Sequence, residues 1–518
     1  SEDPADVELY DYGDELGLEL ETPKQEAATT LSLEGEVEQA DALNEDFVWA
    51  QVRKKETIDE IEENSMDYFI PLEDGSFAEE VNLHHGAGEY DVTIMLPSEE
   101  KGEDEQYFDA ATFDVKNIDK AVEREVELSK YGAEKGLEIE DSITGWNTAE
   151  ETFEVAGNVG DDYAGDKIYA EVEKDGEHNQ LVFPVEKGQF SGEVPLNYGE
   201  GVHKLDLQLE SDEEGDEDGT YYESATLYVD NESDKEFPEF TEYDDYTDSG
   251  LVLEEPGRTV DMEQESIEYP IKGEINPDAP LAEDISHVIV DVENVDEDEK
   301  ATYFIPVEDN AFEGMSHFRF GPGEYEVTVS IPDKEKAEGS KFYYTGVLSV
   351  NHTVKDIEDK RDTLPSRGTE SDDPEIIEKA EDITKGVEDD REKAKAIYEY
   401  VAKNTDYDVE KYEEDAFNLD DSAIETLESG VGICQDYTFL TIALLRSIDI
   451  PAHYVEGHAG VRHAWVEAEI DDEWLVLDPT WGAGYVEDGE FVSEYNEDYF
   501  DPDKDLLEET HSREGEMY

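Results

Sequence analysis

Apolar and polar residues alternate along most of the first 350 positions. Leu31 to Val37, Phe153 to Val159 and Ile267 to Ile275 each alternate around a glycine, the period-two signature of a strand with one buried face. A strand, tight turn and second strand then recur. Phe69-Ile70-Pro71-Leu72-Glu73-Asp74-Gly75-Ser76-Phe77 returns as Phe183-Pro184-Val185-Glu186-Lys187-Gly188-Gln189-Phe190, and again as Phe304-Ile305-Pro306-Val307-Glu308-Asp309-Asn310-Ala311-Phe312. In each copy a Gly-containing turn follows and leads into Tyr90-Asp91-Val92, His203-Lys204-Leu205 or Tyr325-Glu326-Val327. Beyond an acidic hairpin tip come closing strands at Tyr107 to Val115, Tyr221 to Val229 and Phe342 to Val350.

Several short alternating strands per unit of about 90 residues predict three tandem antiparallel β-sandwiches, at 31–116, 147–230 and 263–353. They resemble the immunoglobulin-like modules of bacterial surface proteins. Residues 1–30, acidic and without periodicity, read as a disordered lead-in. Residues 117–146 and the acidic, Tyr-rich stretch 231–262 read as linkers. No aromatic ladder or metal cluster marks the modules, so they are expected to be spacers, and a fragment starting near Lys355 is expected to fold and act alone.

Near Asp356 the period changes to that of a helix. Ser371-Asp372-Asp373-Pro374-Glu375 supplies a cap, an early proline and early acids, and Ile376, Ile377, Ala380 and Ile383 follow at helical spacing. Glu392 to Asn404 predicts a second helix burying Ala396, Ile397, Tyr400 and Val401. A different domain, 364–518, therefore follows the β-modules.

Composition changes the picture in one respect. Thirty-seven basic residues face 146 acidic ones, a formal net charge of −109 spread through every segment. Nucleic acid and anionic membranes would be repelled by such a surface. With 37% hydrophobic and 10% aromatic residues the chain still builds packed cores. The charge points to a protein adapted to high salt, where repulsion is screened; an acidic face that binds calcium is the alternative. No run of about 18 apolar residues is present to span a membrane. The start at Ser1-Glu2-Asp3-Pro4 suggests a trimmed signal or lipoprotein leader. Oligomeric state has no signature here.

The single cysteine stands in Gly430-Val431-Gly432-Ile433-Cys434-Gln435-Asp436-Tyr437, ahead of the apolar helix pattern Phe439, Leu440, Ala443, Leu444 and Leu445. That places Cys434 at a helix start, where unpaired N–H groups and the dipole favour an anion and could hold an oxyanion. Downstream, His463-Ala464-Trp465-Val466-Glu467 alternates as a strand, and Trp474-Leu475-Val476-Leu477-Asp478-Pro479-Thr480-Trp481 reads as its hairpin partner. His463 and Asp478 then lie side by side, the pairing that fixes an imidazole as base for a thiol.

Three motifs in this order, G-x-C-x-D-Y, H-A-W-V-E and D-P-T-W, resemble the transglutaminase-like superfamily of papain-like Cys/His/Asp enzymes. The resemblance implies an α+β domain with Cys434 as nucleophile, His463 as base and Asp478 as orienting acid. It also implies a thiol enzyme on a protein or peptide substrate such as a cell-wall peptide, with no cofactor, and together with the surface-type β-modules and the suggested leader the expectation is action outside the cell. A cysteine peptidase or amidase is favoured over a cross-linking transglutaminase. A non-enzymatic surface scaffold is the third reading, against which stands the complete Cys/His/Asp set. Gln435, Trp465 and Trp481 are candidates for the substrate cleft, and Asp436 reads as structural. His453 and His458 lack the following Ala-Trp and are the lesser candidates for the base. Too few Cys and His surround the motif for a zinc site.

Overall fold

The computed structural model describes residues 3–61, 63–99, 106–212, 215–217, 219–333 and 342–518. The chain divides into two compact units, Ser1–Thr247 and Asp248–Tyr518. The first unit holds two β-sandwiches. The second holds a third sandwich and the C-terminal α+β domain.

In the first sandwich a sheet ordered Glu8–Leu9, Tyr107–Asn117, Gly88–Pro97, Phe47–Lys54, Ser65–Pro71 covers a sheet of Leu18–Leu20, Thr30–Val37 and Ser76–Asn82. Burial along Thr30–Val37 alternates strictly, so Leu31, Leu33 and Val37 face inward against Val48, Val52, Val92 and Ile94. The second sandwich repeats the plan. Glu127–Leu128, Tyr221–Asn231, Gly201–Glu210, Lys167–Lys174 and Glu177–Pro184 lie over Glu138–Ile139, Thr152–Asn158 and Gln189–Pro195. The acidic hairpin tips expected before the closing strands fall partly outside the described residues.

The expected lead-in and linkers are instead parts of the modules. Glu8–Leu9 pairs with the closing strand at Thr112 and Ala111, Leu18–Leu20 extends the smaller sheet, and Leu16 and Leu18 are buried. Residues 117–146 do the same for the second module: Glu127–Leu128 pairs with Thr226 and Ala225, Glu138–Ile139 pairs with Thr152–Asn158, and Leu137 is buried. Only residues 1–2 of the lead-in lie outside the described set. Between these strands sits a one-turn helix, Asp11–Glu15 or Lys130–Glu134, pressed so closely on the closing strand that a Cβ on Gly13 or Gly132 would meet a carbonyl oxygen at 2.4 or 2.2 Å. The stretch 231–262 is ordered as well. Phe237 and Phe240 are buried, Glu242 accepts a hydrogen bond from the Val182 N–H at 2.7 Å, and Asp244 accepts one from the Tyr169 phenol.

In the second unit the third sandwich sets Tyr344–Val354, Gly323–Pro332, His287–Asn294 and Glu299–Pro306 over Leu251–Glu255, Glu268–Ile275 and Ala311–His317. The α+β domain packs helices Pro374–Ile383, Asp390–Asn404 and Ala423–Ser429 on the central helix Cys434–Arg446. Asp373 caps the first of them through the Glu375 N–H. Behind the central helix runs an antiparallel sheet ordered Glu473–Leu477, Arg462–Ile470, Ala452–His458, Ser512–Met517.

The third sandwich contacts the α+β domain directly. Its Arg319, fully buried, donates to the carbonyls of Arg361, Leu364 and Pro365, and Arg446 of the central helix donates to the same Leu364 carbonyl. Further contacts join His287 to Asp420 and set Phe320 edge-on against Tyr518.

Candidate active site

The Ala423–Ser429 helix ends at Gly430 in the left-handed region, φ 67°. The chain then passes through Val431–Gly432, which pairs in parallel with Asp406–Tyr407, and turns into the helix that begins at Cys434. Asp436 closes this turn by accepting the Ile433 N–H at 2.8 Å and the Lys411 ammonium at 2.9 Å. Lys411 is shared with Asp421 at 2.8 Å, and Gln435 leans toward that same Asp421 at 3.4 Å. Gly432 is required because a Cβ would stand 2.5 Å from the Asp436 Cβ.

His463 lies on Arg462–Ile470, opposite Gly457. Leu477 pairs with Val466, and Asp478 follows it directly, capping the short helix Pro479–Ala483. The structure therefore brings His463 Nε2 to 2.8 Å from Asp478 Oδ2. Since a carboxylate only accepts, Nε2 carries the proton and Nδ1 is left for Cys434. Asp478 Oδ1 accepts the Thr480 and Trp481 N–H groups, each at 3.1 Å.

Burial works against charge on His463, but the charge and hydrogen bond of Asp478, with help from Cys434, push its pKa up to about 10. Burial also opposes ionisation of Asp478, and the His463 charge, with hydrogen bonds from His463 and His511, holds it well below the usual carboxylate range. The arrangement suits an imidazolium beside a carboxylate, facing a sulfur at a helix start.

The rival histidines are placed elsewhere. His453 is clamped between Asp362 at 2.9 Å and Glu467 at 2.8 Å; burial disfavours its charge, yet these two acceptors raise its pKa. His458 is half exposed beside Glu514. Of the cleft candidates, Trp465 is 2% exposed and packs behind His463 against Gly457, where a Cβ would stand 2.6 Å from the indole. It belongs to the core, because Gly457 opens a slot for it there. Trp481 is half-buried, its ring 6.1 Å from that of His463. The Gln435 side chain is occupied with Asp421.

Sequence reasoning missed three neighbours. Tyr407 and Tyr454 lie within electrostatic reach of Cys434, and burial first, then the Cys434 charge, pushes both phenols up, so they stay neutral. His511, just before the last strand, places Nε2 at 3.0 Å from Asp478 Oδ2. Neither Tyr407, brought in by the two-residue pairing of Asp406–Tyr407 with Val431–Gly432, nor His511 had a local signal. Among the described residues, His463, Asp478 and His511 hold ligand-type atoms within 4.8 Å of one another, but both imidazole nitrogens are aimed at one carboxylate oxygen as donors. Glu171, Glu173 and Asp206 of the second sandwich form another such group, with the Lys204 ammonium already 3.0 Å from Asp206.

Residues 377–479 match the family model of the transglutaminase-like superfamily. Over 72 residues the chain is 35% identical to an uncharacterised protein of Mycobacterium leprae, a stretch covering 11% of this chain and 25% of that protein. The chain thus spans about a quarter of the length of that relative. Among solved structures, a candidate cysteine protease from Cytophaga hutchinsonii aligns at 19% identity over 38% of this chain and 73% of its own, with a TM-score of 0.22. A TGase structure aligns at 21% identity over 33% and 48%, TM-score 0.20. The FN1–FN3 domains of chicken CNTN1 align at 10% identity over 65% and 97%, TM-score 0.14.

Proposed function

With a C-terminal domain of the transglutaminase-like superfamily as the premise, we propose that this chain is a thiol enzyme that cleaves amide or peptide bonds through an acyl-enzyme, outside the cell and in high salt. The observation that carries the reading is the buried His463–Asp478 pair set beside the helix that starts at Cys434. Cys434 sulfur attacks the amide carbonyl carbon, and the carbonyl electron pair moves to oxygen as an oxyanion. As that pair returns, the C–N bond breaks and the amine leaves with a proton from His463. Water then gives a proton to His463 and adds to the thioester, and the tetrahedral adduct breaks its C–S bond to release the acid and restore the Cys434 thiolate beside a protonated His463. An amine in place of water would give cross-linking. The resemblance is to a bacterial branch that holds both peptidases and cross-linkers, and water is taken as the acceptor because many bacterial members are peptidases.

High salt is supported by the net charge of −109. Among the described residues no helix is long and apolar enough to cross a membrane, and the immunoglobulin-like sandwiches suit a surface protein. Protein or peptide is the substrate class that the domain implies.

The test has two readings. Iodoacetamide at pH 6 should alkylate Cys434 readily in the wild type and much more slowly in His463→Ala of unchanged fold. The acyl group captured from a peptide mixture should pass to water even when an alkylamine is in excess. Equal alkylation of the two proteins would sink the thiol-enzyme reading, and transfer chiefly to the amine would replace hydrolysis with cross-linking.

A further inference from the structure

We propose that His511 is a positioning residue of this site, holding the Asp478 carboxylate in the one orientation that serves His463. The inference rests on the reading of Cys434, His463 and Asp478 as a catalytic set. Asp478 Oδ2 receives two imidazole N–H groups, from His463 at 2.8 Å and from His511 at 3.0 Å. Oδ1 receives two backbone N–H groups, at 3.1 Å each. With only the Oδ1 donors, the carboxylate could swing Oδ2 about its Cα–Cβ and Cβ–Cγ bonds and carry the base with it. A second donor on Oδ2, from a separate element of the fold, removes that freedom.

His511 is itself fixed, as a positioning group has to be. Its ring sits 5.1 Å from Trp465, 4.9 Å from Trp481 and 6.4 Å from Tyr499. Its Nδ1 lies 2.8 Å from Thr510 Oγ1, whose hydroxyl hydrogen is directed at the Leu506 carbonyl. The last strand, Ser512–Met517, pairs with Ala452–His458 so that Ser512 stands opposite His458, and this register delivers His511 to the site. Gly457, without a side chain, leaves the space that the Trp465 indole and the Ser512 carbonyl fill, and Trp465 in turn lies against both imidazoles. No other described function accounts for a histidine whose Nε2 is directed at a carboxylate already paired with the base. The C-terminal segment 504–518 is thereby part of the active centre, although it lies beyond the residues that match the family model.

The experiment compares alkylation of Cys434 by iodoacetamide at pH 6 in the full chain and in His511→Gln, His511→Asn and His463→Ala, with near-ultraviolet circular dichroism as the check on fold. Gln can bring an amide N–H to the place of Nε2, while Asn is too short. His511→Asn should slow alkylation about tenfold, the scale on which a partner of a working side chain acts, and His511→Gln should restore most of the rate. Equal rates in wild type and His511→Asn would overturn the proposal, as would an equal loss in the Gln and Asn variants, since that marks a packing role alone. If His463→Ala also alkylates like the wild type, the catalytic set itself is wrong; if it is slowed while His511→Asn is not, only the role of His511 falls.

Discussion

His463 Nε2 stands 2.8 Å from Asp478 Oδ2, with the two side chains only 5% and 1% exposed. Buried opposite charges this close stabilise each other only while both are charged, and each partner sets one edge of a pH window. His463 titrates at 6.5 in the unfolded chain and is raised to about 10 in the fold, so its contribution is complete below pH 6.5 and is lost as pH rises through 10. Asp478 is depressed from 3.8, so its contribution is present above 3.8 and is lost as pH falls below that value. The pair thus contributes fully between 3.8 and 6.5. Melting temperatures of the wild type and Asp478→Asn should differ most near pH 5 to 6 and converge toward pH 10. A difference that grows on the alkaline side would show that His463 is neutral in the fold.

Salt should also stabilise the protein. Cations are few enough to be shared: Arg361 meets Asp359, Glu297 and Glu299, and Arg513 meets Glu467 and Glu516. The remaining carboxylates far outnumber the cations, and their repulsion reaches about 10 Å at 0.1 M salt but only about 3 Å at 1 M. The melting temperature should climb steadily between those two concentrations of NaCl. A flat profile would remove high-salt adaptation from the functional reading.

What the sequence made legible was whatever has a local pattern. Strict alternation in Leu31 to Val37 and the helical spacing of Phe439, Leu440, Ala443 and Leu444 mark elements long enough to show a period, and the structure has strand and helix there. The hairpin pattern also put His463 and Asp478 side by side; in the structure Asp478 stands one residue past its strand, as the cap of Pro479–Ala483, and its side chain meets His463 there. Glu8–Leu9 and Glu127–Leu128 are two-residue strands, too short for any period, and acidic flanks make them look like linker. A repeat was nonetheless present there: Val7-Glu8-Leu9 with Tyr12-Gly13 and Gly17-Leu18 returns as Val126-Glu127-Leu128 with Tyr131-Gly132 and Gly136-Leu137. His511 was invisible for a different reason. It reaches Asp478 across 33 residues through the pairing of the last strand with Ala452–His458, and no spacing rule carries that register.

Arg319 and Leu364 tie the third sandwich to the transglutaminase-like domain. The guanidinium donates to the Leu364 carbonyl at 2.7 Å and to those of Arg361 and Pro365, while Arg446 approaches Leu364 from the other side at 2.8 Å. Burial, and then the nearby charge of Arg319, push the Arg446 guanidinium well down, so two cations are held together here for the sake of backbone acceptors. Without Arg319 the carbonyls of Arg361 and Pro365 lose these donors inside the protein, a loss of at least about 2 kcal/mol at ~1 kcal/mol or more each. Arg319→Met should therefore lower the urea midpoint of the Asp248–Tyr518 unit, even though it relieves the repulsion with Arg446. A fragment starting at Lys355 lacks Arg319 as well as His287 and Phe320, which contact Asp420 and Tyr518. It should unfold at a lower urea concentration than Asp248–Tyr518 and alkylate Cys434 with less dependence on His463. If the two fragments instead share one midpoint and one alkylation rate, the third sandwich is a spacer after all, and the Arg319 contacts add nothing to the site.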